Sequence, residues 1–295
     1  MEQIISQIML PLALAIVMLG MGLSLQVKDF KAVLHKPKAA IIGFVLQIFL
    51  LPILALFIIK LFGLNKEAAA GLFLLALCPG GATSNLFSFI AKGNVALSVC
   101  LTGVVSLLSP VILPIAFLGF IHYSGSIDSQ SFSLSLLPAM KKLALVTLLP
   151  TFIGMCIRYW ANEWSQSVIP LIKKISAMAM LLVVSALVFT NLTIIPAMLS
   201  MHGVAVISLC SVSLLATYFI AGKFNIFAED RRTIALEVGV QNAGTAIMVA
   251  LSIMHQPALA IIPLMYGLLM NIPAFTFVCW VLNKDKCSMP VGEKY

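Results

Sequence analysis

Glu237 is the only one of the chain's ten acidic residues that lies inside a long apolar run, the stretch from Thr233 to Met254. On insertion scales a carboxylate at membrane depth costs about 2.5–3.5 kcal/mol, so it calls for a partner or a task. Gly239 and the step Asn242-Ala243-Gly244 come directly after it, and such residues weaken a helix where only a cavity or other protein can tolerate unwound backbone. A second stretch has the same character: Cys78-Pro79-Gly80-Gly81-Ala82-Thr83-Ser84-Asn85. Pro79 removes a backbone donor, and the paired glycines loosen the next turn. The plainer reading of both stretches is a kink, with the carboxylate bonded to a neighbouring hydroxyl.

Interrupted helices carry charge at their ends. Freed carbonyls and the C-terminal half-dipole favour a cation, and the next half-helix favours an anion at its N-terminus. Around the two stretches lie neutral oxygen donors, namely Gln47, Ser84, Asn85, Ser98, Thr102, Gln241 and Asn242, with Glu237 as the single carboxylate. Such a set suits a monovalent hard cation better than a divalent one, which recruits several carboxylates. Ser98 and Thr102, four apart, share a helical face, although the same spacing also allows a hydroxyl to bond back to its own i−4 carbonyl. Gln47 reads equally as a side chain bonded to a neighbouring helix. Half-helices starting near Ala82-Thr83 and Asn242-Ala243 would offer N–H groups to an anionic headgroup, with Asn242 and Asn271 as amide donors, because no Lys or Arg lies close by in sequence.

The elements that must hold these residues are membrane helices. Hydrophobic residues form 61% of the chain and charged ones 9%, with a mean hydropathy of +1.11. That balance belongs to an all-α polytopic membrane protein rather than to a soluble domain. Nine spans are expected, at about 5–27, 38–61, 67–91, 94–121, 136–159, 168–195, 199–222, 230–255 and 257–282. The first lacks a basic leader and is too long for a signal peptide, so it reads as a retained helix. The two interrupted stretches fall in the third and eighth spans, which run in opposite directions. Each precedes a span containing a proline, Pro110 or Pro273, the pattern of an inverted repeat with its site near the bilayer midplane. The longest connection, His122 to Ser135, reads as the seam between halves.

Of the 18 Lys and Arg residues, only Lys60, Lys66, Lys141 and Lys142 fall on the side that the N-terminus would face. The positive-inside rule then sets the N-terminus outside and the C-terminus in the cytoplasm of a plasma or inner membrane. This placement explains the net charge of +8 without a nucleic-acid partner. The scattered cysteines suit buried packing rather than disulfides or a metal cluster. His35, His122, His202 and His255 sit in loops or at span ends with no catalytic arrangement, so no enzyme is expected. Asn191-Leu192-Thr193 matches a glycosylation acceptor but reads as helix surface or interface.

The runs Pro79 to Asn85, Gly93-Asn94-Val95-Ala96-Leu97-Ser98 and Glu237 to Asn242 resemble the bile acid:sodium symporter family in its nine-helix form, and the likeness extends over essentially the whole chain. It implies two co-transported Na+ ions. Ser84, Asn85, Ser98, Thr102 and Glu237 would form the first site; Gln47, Gln241, Glu237 and the carbonyls of Val238 and Val240 would form the second. It also implies a core domain (38–121 and 199–282) rocking against a panel domain (1–27 and 133–196), with 283–295 as a cytoplasmic tail. The expected activity is symport of an organic anion, a bile acid or a small carboxylate. The rival is metalloid or proton-coupled efflux, prompted by Cys78 beside Pro79. Some relatives carry Pro-Gly-Gly-Thr-Ala-Ser-Asn, whereas here Ala82 and Thr83 exchange the small and hydroxyl residues. No oligomeric state is implied.

Overall fold

Where a bilayer offers no partner for backbone N–H and C=O groups, apolar runs must bond internally, and these fold as helices. A computed structural model describes residues 5–26, 37–125, 136–190 and 194–288. After a π-helical turn at Ile5–Met9 comes α1, Leu10–Ser24. Next is α2, Pro37–Phe62, which contains a second π turn at Leu46–Leu50. The first interrupted pair is α3, Lys66–Ala76, and α4, Ala82–Ile90. Then come α5, Val95–Ser124; α6, Leu136–Trp160; α7, Asn162–Thr190; the short α8, Ile194–Met198; and α9, Met201–Lys223. The second interrupted pair is α10, Ala228–Gly239, and α11, Ala243–Met248, which runs into a π turn at Val249–Ile253. The chain closes with α12, Pro257–Leu269, and α13, Asn271–Ser288.

Among the described residues seven helical stretches are long and apolar enough to cross a membrane. With the two interrupted pairs they make the nine spans expected. Several boundaries differ from the expectation. α7 begins at Asn162 rather than near 168, only Ala161 separating it from α6. A polar first turn can cap a membrane helix, so hydropathy set its start too late. α5 continues through Ser124, which takes His122–Ser124 out of the expected seam loop. α13 is helical through Ser288, past the expected start of the tail at 283. Pro110 and Pro114 ride inside an unbroken α5, whereas the last span is jointed at Met270, just before Pro273. Residues 126–135 of the seam, the Asn191–Thr193 acceptor, residues 289–295, and Lys28, Lys31, Lys36 and Lys294 of the charge pattern lie outside the described residues.

Two packing patterns position the site. α1 lies along α6 and α7; Gly22 and Gly154 let α1 and α6 touch so closely that a Cβ at either would strike the other helix's backbone. Close approach through small residues is how helices associate in lipid. Thr151 Oγ1 donates across the same seam to Met18 O at 3.4 Å. Elsewhere α10 sits at the centre, packed by α2, α4, α5 and α9, with Ile234, Ala235, Leu236 and Glu237 fully buried. Large apolar side chains such as Phe49, Phe57, Leu86 and Phe89 point outward, as the lipid-facing shell of a membrane protein should.

Candidate functional site

Both interruptions form where the sequence cannot continue a helix, and they satisfy one another's backbone. In the first, Cys78 N closes the last turn on Leu75 O at 3.0 Å. Pro79 and Gly80 then lie outside any helix, and Gly81, in an extended conformation, caps α4. In the second, α10 ends at Gly239 and Val240 is extended. Asn242 caps α11 by accepting from Thr245 N at 3.2 Å. Asn242 N donates to Pro79 O at 2.9 Å, and Gly80 pairs with Gln241 in an antiparallel bridge. The breaks therefore cross in contact, meeting the requirement that backbone at this depth find partners in the protein. The carbonyl of Gly239 is held from the side by Tyr266 Oη at 2.6 Å and Cys210 Sγ at 3.2 Å.

Glu237 lies at this crossing. Its Oε2 accepts from Ser84 Oγ at 2.8 Å and Ser98 Oγ at 2.9 Å, and its Oε1 accepts from Thr102 Oγ1. Three elements, α4, α5 and α10, thus bring the four side chains together. Gly80 is required beside them, because a Cβ there would overlap the Glu237 carboxylate. Thr102 Oγ1 also bonds back to Ser98 O at 3.0 Å, so the i−4 alternative and the inter-helix contact are both realised. Among the described residues Glu237 has no basic partner; the ion pair present is Arg232–Asp285. Asn85 stands one position beyond Ser84, and its Oδ1 is buried without a hydrogen-bond donor. Ser88, whose Oγ donates to Ser98 Oγ at 3.3 Å, extends the cluster and was not among the expected residues. Its i+4 relation to Ser84 was the available signal.

The second expected set is gathered less completely. Gln241 Nε2 donates to Val238 O at 2.7 Å and Glu237 O at 3.3 Å, while its Oε1 is buried without a donor. Val240 comes next in the extended link. Gln47 sits in the π turn of α2, fully buried, and neither of its amide atoms has a hydrogen-bond partner, so it does not touch Gln241 or Glu237 through one. It lines a cavity of about 10 Å³ with Cys78, Val105 and Ser109, the scale of one water-sized guest. Cys78 is buried and donates to Leu74 O at 3.4 Å. No cluster of three or more His, Cys, Asp or Glu side chains occurs among the described residues.

The expected substrate residues stand at the starts of three helices. Ala82, exposed, and Thr83, half-buried, form the first turn of α4. Asn242 and Ala243 open α11, and Gly267 of α12 packs against the Ala243 side chain. Asn271 is exposed at the start of α13, its amide donating to Gly267 O and Leu268 O, both at 3.2 Å. With Phe87, Ile272, Phe275 and Thr276 it lines an open groove of about 450 Å³ between α4 and α13. Phe87, Phe275 and Thr276 were not singled out from sequence, and nor were Tyr266 and Cys210.

Comparison with known proteins points the same way. The sequence profile of the sodium bile acid symporter family matches residues 11–198. An uncharacterized sodium-dependent transporter of Bacillus subtilis, YocS, is 31% identical over 251 residues, spanning 85% of this chain and 75% of its own. The rat sodium/bile acid cotransporter 4 is 30% identical over 274 residues, spanning 90% of this chain and 61% of its own. The probable chloroplastic sodium/metabolite cotransporter BASS1 of Arabidopsis thaliana is 29% identical, covering 84% of this chain. This chain thus spans about three-fifths of the length of the plant and mammalian relatives, 60% and 61%.

Proposed function

The chain belongs to the sodium bile acid symporter family, and on that premise we propose that it is a sodium-coupled symporter importing an organic anion by alternating access. One observation carries the reading: a fully buried carboxylate, Glu237, meets three hydroxyls and, among the described residues, no basic side chain. A buried charge without an opposite charge is costly, and a bound monovalent cation would supply one. Hydroxyls both donate and accept, so Ser84, Ser98 and Thr102 can turn their lone pairs to an ion beside Glu237. Asn85 Oδ1 would complete that first site.

The second ion would lie between Gln241, Gln47, Glu237 and the carbonyls of Val238 and Val240. Gln241 would have to turn its amide so that Oε1 replaces Nε2 beside Val238 O. Two oxygens facing one another in that way are favoured only with a cation between them. The orphaned oxygen of Gln47 supports the same site, once the helices close on it.

The substrate class is argued from the half-helix N-termini at Ala82-Thr83 and Asn242-Ala243, which favour a negative headgroup. The apolar groove ending at Asn271 and Thr276 suits the body of an amphipathic carboxylate. In the proposed cycle α1, α6 and α7 form a panel against which the remaining helices rock. The N-terminus faces outward, as the charge asymmetry favours. Cys78 is buried and bonded to its own helix, which disfavours metalloid efflux through its thiol.

Two sodium ions with one monoanion move a net charge of +1. A tenfold sodium gradient contributes about 1.4 kcal/mol per ion, and 100 mV about 2.3 kcal/mol per net charge. Together these reach roughly 5 kcal/mol, between three and four decades of accumulation. On a solid-supported membrane, jumps of small carboxylates and bile salts in sodium should give an inward current for at least one anion. That current should vanish in potassium. Robust sodium-driven uptake of a monoanion without current would contradict the two-ion assignment.

A further inference from the structure

We propose that Arg231 and Lys284 hold the phosphate of an anionic membrane lipid in a corner formed by the ends of α9, α10 and α13. Tyr218, buried on α9, is the floor of this corner. Phe219, Phe277 and Trp280 meet its ring edge-on at 5.3–5.7 Å between centroids. The Arg231 guanidinium carbon lies 4.3 Å above the Tyr218 ring, and Gly222, one turn further along α9, leaves room for it. Lys284 Nζ approaches the same ring at 5.7 Å and that of Trp280 at 5.5 Å. Lys223, exposed at the end of α9, adds a third positive charge.

What distinguishes Arg231 is that none of the described residues answers its guanidinium donors. A guanidinium carries five N–H groups in a fork that matches phosphate oxygens. The Arg231 guanidinium makes no hydrogen bond or ion pair with any described residue, and its Nε is buried without a partner. The neighbouring acids are engaged elsewhere: Asp285 pairs with Arg232, and Asp230 accepts from Asn94 Nδ2 at 2.8 Å. Glu229 is exposed, but two residues from Arg231 it faces another side of α10. The contact with Tyr218 is made to the ring rather than to a hydrogen-bond acceptor, and it leaves the guanidinium donors available.

The surroundings choose a lipid over a soluble anion. Phe219 is 55%, Phe224 49% and Trp280 38% exposed, so apolar surface for an acyl chain adjoins the cations. Tyrosine and tryptophan collect at headgroup level, and basic pockets between helices take anionic headgroups. A zwitterionic lipid would bring its own cation towards three others.

The test uses the full chain in nanodiscs of phosphatidylcholine with or without phosphatidylglycerol, read by thermal unfolding. Phosphatidylglycerol should raise Tm on the order of 5 °C through binding to the folded state. Arg231→Gln with Lys284→Gln should lose most of that rise, whereas Lys174→Gln, an exposed charge on α7, should keep it. Should the double variant not fold, Lys284→Gln alone must lose at least about half of the rise, since Lys284 is exposed. Native mass spectrometry should find phosphatidylglycerol retained by the parent and absent from the folded variant. No rise in the parent, an undiminished rise in the variants, an equal loss in Lys174→Gln, or an equal rise with glycerol 1-phosphate in detergent would each overturn the lipid site.

Discussion

At Glu237 the cost of an acid in an apolar setting is met by three hydroxyl donors from α4 and α5, and each of those contacts can be removed singly. Hydrogen bonds to charged groups contribute about 1.5–3 kcal/mol. Ser98→Ala and Thr102→Ala, each made alone, should therefore each raise the sodium concentration for half-maximal uptake by roughly 10- to 100-fold. A sodium titration of uptake checks this, and an unchanged half-saturation in either variant would remove that hydroxyl from the first site. Tyr266 acts at one remove, by fixing Gly239 O at the break. Tyr266→Phe should weaken sodium dependence by about 3- to 10-fold with little loss of folded protein, and a loss of folding without that shift would make its role purely structural. Glu237, Ser84 and Gln241 were legible because polar residues in an apolar run announce themselves. Tyr266, Cys210 and Phe275 were not, since an aromatic or a thiol in such a run reads as packing until the fold sets a carbonyl or groove beside it.

Among the elements, the two breaks were the most legible, because Pro79-Gly80-Gly81 and Gly239 with Asn242 oppose helix continuation locally. Their pairing through Gly80–Gln241 and Pro79–Asn242 was beyond local reading; proximity between residues about 160 positions apart is a property of the fold. Hydropathy also hid the π turns at Leu46–Leu50 and Val249–Ile253, which change register without changing composition. The latter leads to a junction between the two packing groups. Lys142 of α6 donates to Ser252 O and to Gln7 Oε1 at 3.4 Å, and Gln7 Nε2 lies 3.2 Å from His255 Nδ1. If the panel rocks against the rest, these contacts must part when that end opens. Lys142→Met should then speed amide exchange at 252–256 by about tenfold while leaving 230–240 unchanged. Equal exchange in both proteins would mean that the contact does not hold the two groups together.

For the molecule as a whole, composition settled the class and spacing settled nearly all of the spans, because a bilayer imposes both length and apolarity. Orientation rests on where 18 basic residues fall. A tag after Tyr295 should accordingly be digested by protease in inside-out vesicles and protected in right-side-out ones, and the reverse pattern would invert the proposed import. The proposed symport turns on a buried carboxylate, Glu237, whose counter-charge would travel with the substrate. Equilibrium binding of radioactive sodium to the purified chain, with and without Glu237→Gln, tests this without knowing the anion carried. The parent should bind about two ions per chain with a sigmoidal isotherm, and the variant, folded to the same extent, should bind essentially none. Sodium binding by Glu237→Gln with the stoichiometry and affinity of the parent would contradict the account.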